Sequence, residues 1–305
     1  MDDSIRPIGV DPGYGDTKTR NSCFRSGVIE VSDPIVYDNV LEYKGIFYRI
    51  GVIRTMIQEN RYSNDDIHVL TMAAIARELK ILGLRGCTIV LAVGLPIGRF
   101  SAEKKELISY LSREKMLSFR FEKVPYTVKI DKVLVYPQCY GAIFDKLETM
   151  SDYEYVVDIG SWTVDILKVV DKVPDESGCS SEPDGVITCI RRIQEVCYEK
   201  LNSKIDEHVI REVIVKGDAA LEEEYIDIIN TEVKRYCESI YKSLLEKGIN
   251  VRTTPITFAG GGANLMKRYM DPKQRNLSYI TDVRANAIGY EKMAKLYLNK
   301  RSGLK

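Results

Sequence analysis

Two short segments about half the chain apart carry one pattern. "VDPGYGDTK" begins at Val10 and "VDIGSWTVD" at Val157; both read apolar, Asp, any residue, Gly, two of any kind, then Asp or Thr. Asp11 matches Asp158, Gly13 matches Gly160 and Asp16 matches Thr163. Each segment closes an apolar, strand-like run and leads into a second extended stretch, so each reads as a hairpin with a glycine turn. Self-similarity on this scale predicts two related lobes, each presenting one turn to a shared cleft. A chain of 305 residues is long enough to give both lobes a core.

The chemistry that suits such a pair is phosphate handling. A glycine turn lets backbone N–H groups come close to anionic oxygens and form a nest for them. A carboxylate at the end of each strand, Asp11 and Asp158, would hold the water shell of Mg2+. Lys18 would neutralise charge between phosphates. Two other phosphate motifs fail on spacing. The sequence has no G-x-x-x-x-G-K-[ST]. In a dinucleotide fingerprint a third glycine follows Gly13 and Gly15, but Lys18 stands there and "TKTRNS" shows no apolar helical face.

Composition narrows the class. Lys and Arg number 44, as do Asp and Glu, which argues against a direct electrostatic grip on DNA or an anionic membrane. No apolar run approaches the roughly 18 residues of a membrane span, and "MDDSIRPIG" lacks the features of a signal peptide. The 7 cysteines include no C-x-x-C pair, which points to buried thiols in a reducing cytoplasm. His68 and His208 lie far apart with no motif around them, so they give no basis for His-centred catalysis. Chemistry therefore falls to carboxylates, amides, backbone groups and a borrowed metal.

Periodicity sketches an α/β chain without long linkers. Strands are expected at Ile5 to Asp11, in an antiparallel region over residues 24–54, in "CTIVLAVGLP", in "VPYTVKIDKVLVYP" and in the hairpin "YEYVVDIGSWTVDILKVV". Helices are expected from Asp65 to Gly83, Ala102 to Lys115, within 138–150, from a cap at Asp184 to about Lys204, over Ala219 to Lys247, and from Arg284 to Asn299. "DKVPDESGCSSEPDG" is the most polar stretch and reads as a loop, and the long helix from Ala219 most simply presents a solvated face.

Two further pieces complete the pattern. "FAGGGANLM" sets Gly260, Gly261 and Gly262 between a strand and a helix, where a plain turn and a nucleotide site account for the glycines equally well. In "VYPQCYGAIF", Gln138 reads first as a helix-start residue; a glutamine there would also orient a water for in-line attack. Asp165 reads first as a structural hydrogen-bonding residue and Asp16 as a turn residue.

In order, these segments resemble the actin-like ATPase superfamily. "IGVDPGYGDTK" is similar to its phosphate-1 motif, "VYPQCYGAIF" to connect-1, "YVVDIGSWTVDI" to phosphate-2, "ITFAGGGANLM" to the adenosine motif and "RANAIGYEKM" to connect-2. The start, the "GLP" at Gly94 to Pro96 and the "GGGA" turn most resemble ParM/StbA-type plasmid-segregation actins. The resemblance implies a two-lobed actin-like, ribonuclease H-like α/β fold with a nucleotide cleft between the lobes. The lobes would be residues 1–150, with a small subdomain at about 24–120, and 151–284, with 285–305 a helix returning to the first. It implies ATP or GTP bound with Mg2+. Gly13, Tyr14, Gly15 and Lys18 would meet the β- and γ-phosphates, and Gly160, Ser161 and Thr163 would clasp them from the other side. Gly260 to Gly262 would border the nucleoside, Asp11 and Asp158 would hold hydrated Mg2+, and Gln138 would place the attacking water. Departures stand at Pro12, which removes one N–H from the nest, at Trp162, and at Gln138, where many relatives carry Glu.

The function implied is a cytoplasmic, filament-forming NTPase that segregates plasmid DNA. It would assemble with itself and reach DNA through a ParR-like adaptor, with no direct nucleic-acid or membrane contact. A small-molecule kinase of the same superfamily is the alternative, although residues 24–120 show no acceptor pocket. A chaperone-like switch is a third, weakened by the lack of a substrate domain after the last motif.

Overall fold

The computed structural model describes residues 2–33, 36–52, 62, 64–269 and 274–303; positions 34, 35, 53 and 54 of the expected antiparallel region lie outside them. The chain divides into two compact units, Met1–Glu148 with Val283–Lys305, and Thr149–Asp282. The first holds β1 (Asp2–Pro12), β2 (Asp16–Thr19), β3 (Cys23–Arg25), β4 (Val28–Val31), β5 (Val40–Tyr43), β6 (Ile46–Ile50), α1 (Asp66–Ile81), β7 (Gly86–Leu95), α2 (Phe100–Leu111), β8 (Met116–Phe121), β9 (Val124–Pro137) and the short α3 (Tyr140–Ile143). The second holds β10 (Tyr153–Ile159), β11 (Val164–Val170), β12 (Val173–Glu182), α4 (Val186–Leu201), α5 (Glu207–Lys216), α6 (Glu223–Glu246), β13 (Ile256–Ala259), α7 (Ala263–Tyr269) and β14 (Leu277–Tyr279). Last in the chain, α8 (Ala285–Arg301) belongs to the first unit.

The strand order is β3-β2-β1-β7-β9-β8-β5-β6-β4 in the first sheet and β12-β11-β10-β13-β14 in the second. The first five strands of the larger sheet repeat the smaller one. In each, the first strand of an antiparallel meander pairs in parallel with a further strand, which in turn pairs in parallel with another. The repeat extends to register, since Asp11 faces Lys18 across β1–β2 and Asp158 faces Asp165 across β10–β11.

Strand β7 shows why its sequence is continuously apolar. Side chains alternate between faces: Ile89, Leu91, Val93 and Leu95 enter the core with α1, while Val90 and Ala92 pack with Tyr290, Met293 and Ala294 of α8. Both faces are covered from Ile89 to Leu95, so no position there is left for a polar residue; the half-buried Thr88 precedes this stretch. Strand β8 has one covered face and alternates cleanly. A one-residue slip there would expose Leu117, Phe119 and Phe121, at roughly 1.5–3 kcal/mol each. Helix α1 is buried nearly all round from Ile67 to Leu79. It carries the buried Glu78, whose carboxylate accepts from the Asn21 N–H at 3.0 Å, from Asn21 Nδ2 at 2.7 Å and from Thr19 Oγ1, closing the β2–β3 turn.

Several expectations change. The polar stretch after Asp171 is not a loop but β12, paired with β11 and lying at the sheet edge. An edge strand tolerates Pro174, Gly178 and a run of serines because one side makes no ladder bonds. Helix α4 begins one residue later than expected, with Gly185 rather than Asp184 at the cap position. The charged helix spans Phe100–Leu111 and does not reach Lys115, and α5 and β14 were not anticipated. All seven cysteines are free thiols, and Cys23 is exposed. Among the described residues no helix is long and apolar enough to cross a membrane.

His68, on α1, is 1 % exposed, its ring 5.5 Å from that of Tyr43 and 6.0 Å from that of Tyr110. Burial, reinforced by the Arg113 and Lys44 charges and opposed by Asp65 and Glu114, lowers its pKa from 6.5 to about 4. The unfolded chain therefore takes up the proton first. The stability at stake is complete above pH 6.5 and is lost as pH falls toward 4. It amounts to roughly 3 kcal/mol. Urea unfolding followed across this range should show that loss in the wild type and a shallower one in His68→Phe. Parallel curves would show that His68 does not titrate there.

Candidate functional site

In the first unit the turn Gly13-Tyr14-Gly15 joins β1 to β2. Pro12 lies before it, paired with Thr17, so its missing N–H falls at the end of the ladder and not in the turn, contrary to expectation. Asp11 is 3 % exposed. Its Oδ2 lies 3.3 Å from Lys18 Nζ, and its Oδ1 accepts from Gln138 Nε2 at 2.9 Å. Gln138 does not open a helix. Its N–H donates to the Leu95 carbonyl at the end of β7 at 2.8 Å, and Cys139 separates it from α3 at φ 68, ψ −52. The Tyr140 N–H donates back to the Gln138 carbonyl at 2.8 Å, which makes this a γ-turn of the rare, strained kind. Asn286 Oδ1 on α8 accepts the Ala142 N–H at 3.0 Å and steadies the segment that follows.

Ser26, which sequence reasoning missed, organises this turn. It is 1 % exposed. Its hydroxyl donates to the Gly13 carbonyl at 2.5 Å and lies 2.8 Å from Thr17 Oγ1, and its N–H donates to the Gly15 carbonyl at 3.1 Å. In a trans peptide the N–H points opposite to the preceding C=O. With the Gly13 and Gly15 carbonyls turned toward Ser26, the N–H groups of Tyr14 and Asp16 face away from it. Nothing in "FRSGV" distinguishes Ser26 from an ordinary turn serine.

The second turn is set by a helix. The carbonyls of Gly160, Ser161 and Trp162 accept from the N–H groups of Val186, Ile187 and Gly185, each at 3.0 Å. The opening amides of α4 are thus satisfied by the turn, and the N–H groups of Ser161, Trp162 and Thr163 point away from α4. Successive amides aimed one way make an anion-binding concavity. The Thr163 hydroxyl donates to Asp165 Oδ2 at 2.9 Å, within the hairpin. Asp165 is 3 % exposed and Asp158, at the end of β10, 7 %.

The three glycines differ from one another. β13 runs parallel to β10 with Ala259 beside Asp158. Gly260 has φ +79, and a Cβ there would lie 2.1 Å from Asp158 Oδ1; at Gly262 it would lie 2.3 Å from Ile159 Cγ2. Gly261 is exposed, has no left-handed backbone and would meet nothing within 4 Å. Contacts within the chain therefore account for Gly260 and Gly262 but not for Gly261.

Of the anticipated residues, the first unit thus brings Asp11, Lys18 and Gln138 into contact beside Gly13, Tyr14 and Gly15. The second gathers Asp158, Gly160, Ser161, Thr163 and Gly260 to Gly262 at the ends of adjacent strands. Among the described residues no three His, Cys, Asp or Glu side chains form a cluster able to hold a metal ion. Carboxylates this sparse, Asp11 in the first unit and Asp158 with Asp165 in the second, suit a cation that keeps its own oxygen ligands and not one caged by protein.

Residues 9–141 match the family described as actin like proteins N terminal domain, and residues 156–271 match the C-terminal domain of the archaeal actin homologue MreB-like family. No curated protein matches the sequence. Among solved structures, the archaeal actin homolog Ta0583 in complex with ADP is 22 % identical with a TM-score of 0.73, over 95 % of this chain and 99 % of that one. Actin-like protein Alp7A is 17 % identical with a TM-score of 0.76, over 98 % of each chain. Bacillus thuringiensis ParM with ATP is 13 % identical with a TM-score of 0.73, over 99 % of this chain and 100 % of that one. At these identities the structural likeness establishes the fold, while the two family matches take in both turns, Gln138 and the glycine triplet. With an actin-type domain matched in each half, the chain belongs to the actin-like proteins.

Proposed function

We propose that this chain is a filament-forming ATPase that segregates plasmid DNA in the cytoplasm. The observation that carries the reading is the matched pair of turns, in which bonded carbonyls leave backbone amides facing outward beside a buried Asp. In this reading the actin-like lobes are residues 1–150 with 285–305, and 151–284. Gly13, Tyr14, Gly15 and Lys18 contact the β- and γ-phosphates, as do Gly160, Ser161 and Thr163. Gly260 to Gly262 border the nucleoside. Mg2+, when bound, offsets phosphate charge, and Asp11 and Asp158 hold its water shell. Gln138 places the attacking water, with its amide already fixed by Asp11. Structures of relatives with ADP and with ATP support adenine nucleotides; GTP serves through the same phosphate contacts.

Subunit addition follows triphosphate binding, and hydrolysis loosens the polymer. The balance of 44 basic and 44 acidic residues favours a ParR-like adaptor over direct DNA contact. Light scattering and pelleting with ATP, GTP and ADP in Mg2+ test this. Sedimentable polymer is expected with a triphosphate, and its absence with both over a wide protein range would end the filament reading.

Two substitutions probe the site. Asp158→Ala should lower turnover about 100-fold or more, a far larger effect than its shift of the urea midpoint. Near-normal hydrolysis would remove Asp158 from the site. Gly261→Ala should fold as wild type yet lose nucleotide binding by calorimetry, whereas Gly262→Ala should be destabilised by its contact with Ile159. Full binding by Gly261→Ala would show that no nucleoside approaches that glycine.

A further inference from the structure

The chain has 1 tryptophan, and it stands inside the second turn. Trp162 gives its carbonyl to the Gly185 N–H at 3.0 Å and packs its half-buried ring against the core of the second unit. The contact with α4 is close, since a Cβ at Gly185 would lie 2.5 Å from the Trp162 carbonyl carbon. The indole N–H is buried and has no hydrogen-bond partner among the described residues. A phenylalanine would pack there without leaving a donor unsatisfied, so what singles out tryptophan must act through the ring face.

That face is occupied by Arg191, whose guanidinium carbon lies 5.0 Å from the ring centroid. Indole is the strongest cation–π acceptor among the side chains. Arg191 sits in the second turn of α4, where side chains lean back toward the helix N-terminus and so over Trp162. The neighbouring Arg192 is engaged by Glu195, Glu199 and Glu232, whereas Arg191 makes no ion pair among the described residues. The turn of the first unit has no such device, because the position matching Trp162 is Gly15.

We propose that Trp162 and Arg191 are positioning residues that form a buttress behind the second turn. The buttress fixes the distance from the outward-facing amides to α4 and passes phosphate occupancy of the turn to that helix. The proposal rests on the nucleotide-binding reading above. It specifies something the fold alone does not, an indole spacer at a position the first turn gives to glycine, held by a cation on the surface.

The test combines calorimetry with Trp162 emission in full-length wild type, Arg191→Ala and Arg191→Lys, titrated with ADP and with ATP in Mg2+. Wild-type emission should change on binding. Arg191→Ala should bind about 3- to 5-fold more weakly and, at saturation, show less than about half of the wild-type emission change. Arg191→Lys, which keeps the charge, should recover part of both. A merely structural role for Arg191 would lower the melting temperature and leave the saturated emission change intact. Wild-type binding with unmoved emission, or an Arg191→Ala variant that binds and responds as wild type, overturns the buttress and leaves the nucleotide reading standing. Calorimetry silent for wild type overturns both.

Discussion

Two carbonyl groups in each turn decide what the rest of the structure presents. In the first unit the carbonyls of Gly13 and Gly15 are held by Ser26, one by its hydroxyl and one by its N–H. In the second, the matching carbonyls of Gly160 and Trp162 are held by the N–H groups of Val186 and Gly185. Peptide planarity then leaves the following amides only one direction to face. A single buried serine and a helix N-terminus thus turn the carbonyls at matching positions inward by unrelated means. The strands serve this arrangement, since the shared register places one buried Asp two residues before the glycine that opens each turn.

What the sequence makes legible is what repeats. The two hairpins share a pattern because turn and register must agree, and the match of Asp11 with Asp158 extends to the order of five strands. The apolar run of β7 is equally plain, being covered on both faces. Legibility fails where the fold asks little of a side chain or decides its role from afar. Strand β12 is edge backbone with small polar residues, chemically indistinguishable from a loop. Ser26 is an ordinary turn serine until tertiary structure brings its two donors onto Gly13 and Gly15. Gln138 looks like a helix start, and only the γ-turn at Cys139 sets it apart from α3. Gly261 was visible as one of three equal glycines, and only the space around each separates the ones that packing requires from the one it does not.

The same register also exposes a difference between the halves. Across β1–β2 the partner of Asp11 is Lys18; across β10–β11 the partner of Asp158 is Asp165. The first carboxylate is bracketed by a cation and by the Gln138 amide. The second faces another buried carboxylate, Asp165, which accepts from the Thr163 hydroxyl. In the proposed reading this divides the labour. The first turn carries a positive charge of its own and adds Lys18 to the phosphates, while the second carries a carboxylate at the matching position. Two halves built on one topology are thereby made non-equivalent by a single cross-strand position, and the direction of the asymmetry follows from charge alone.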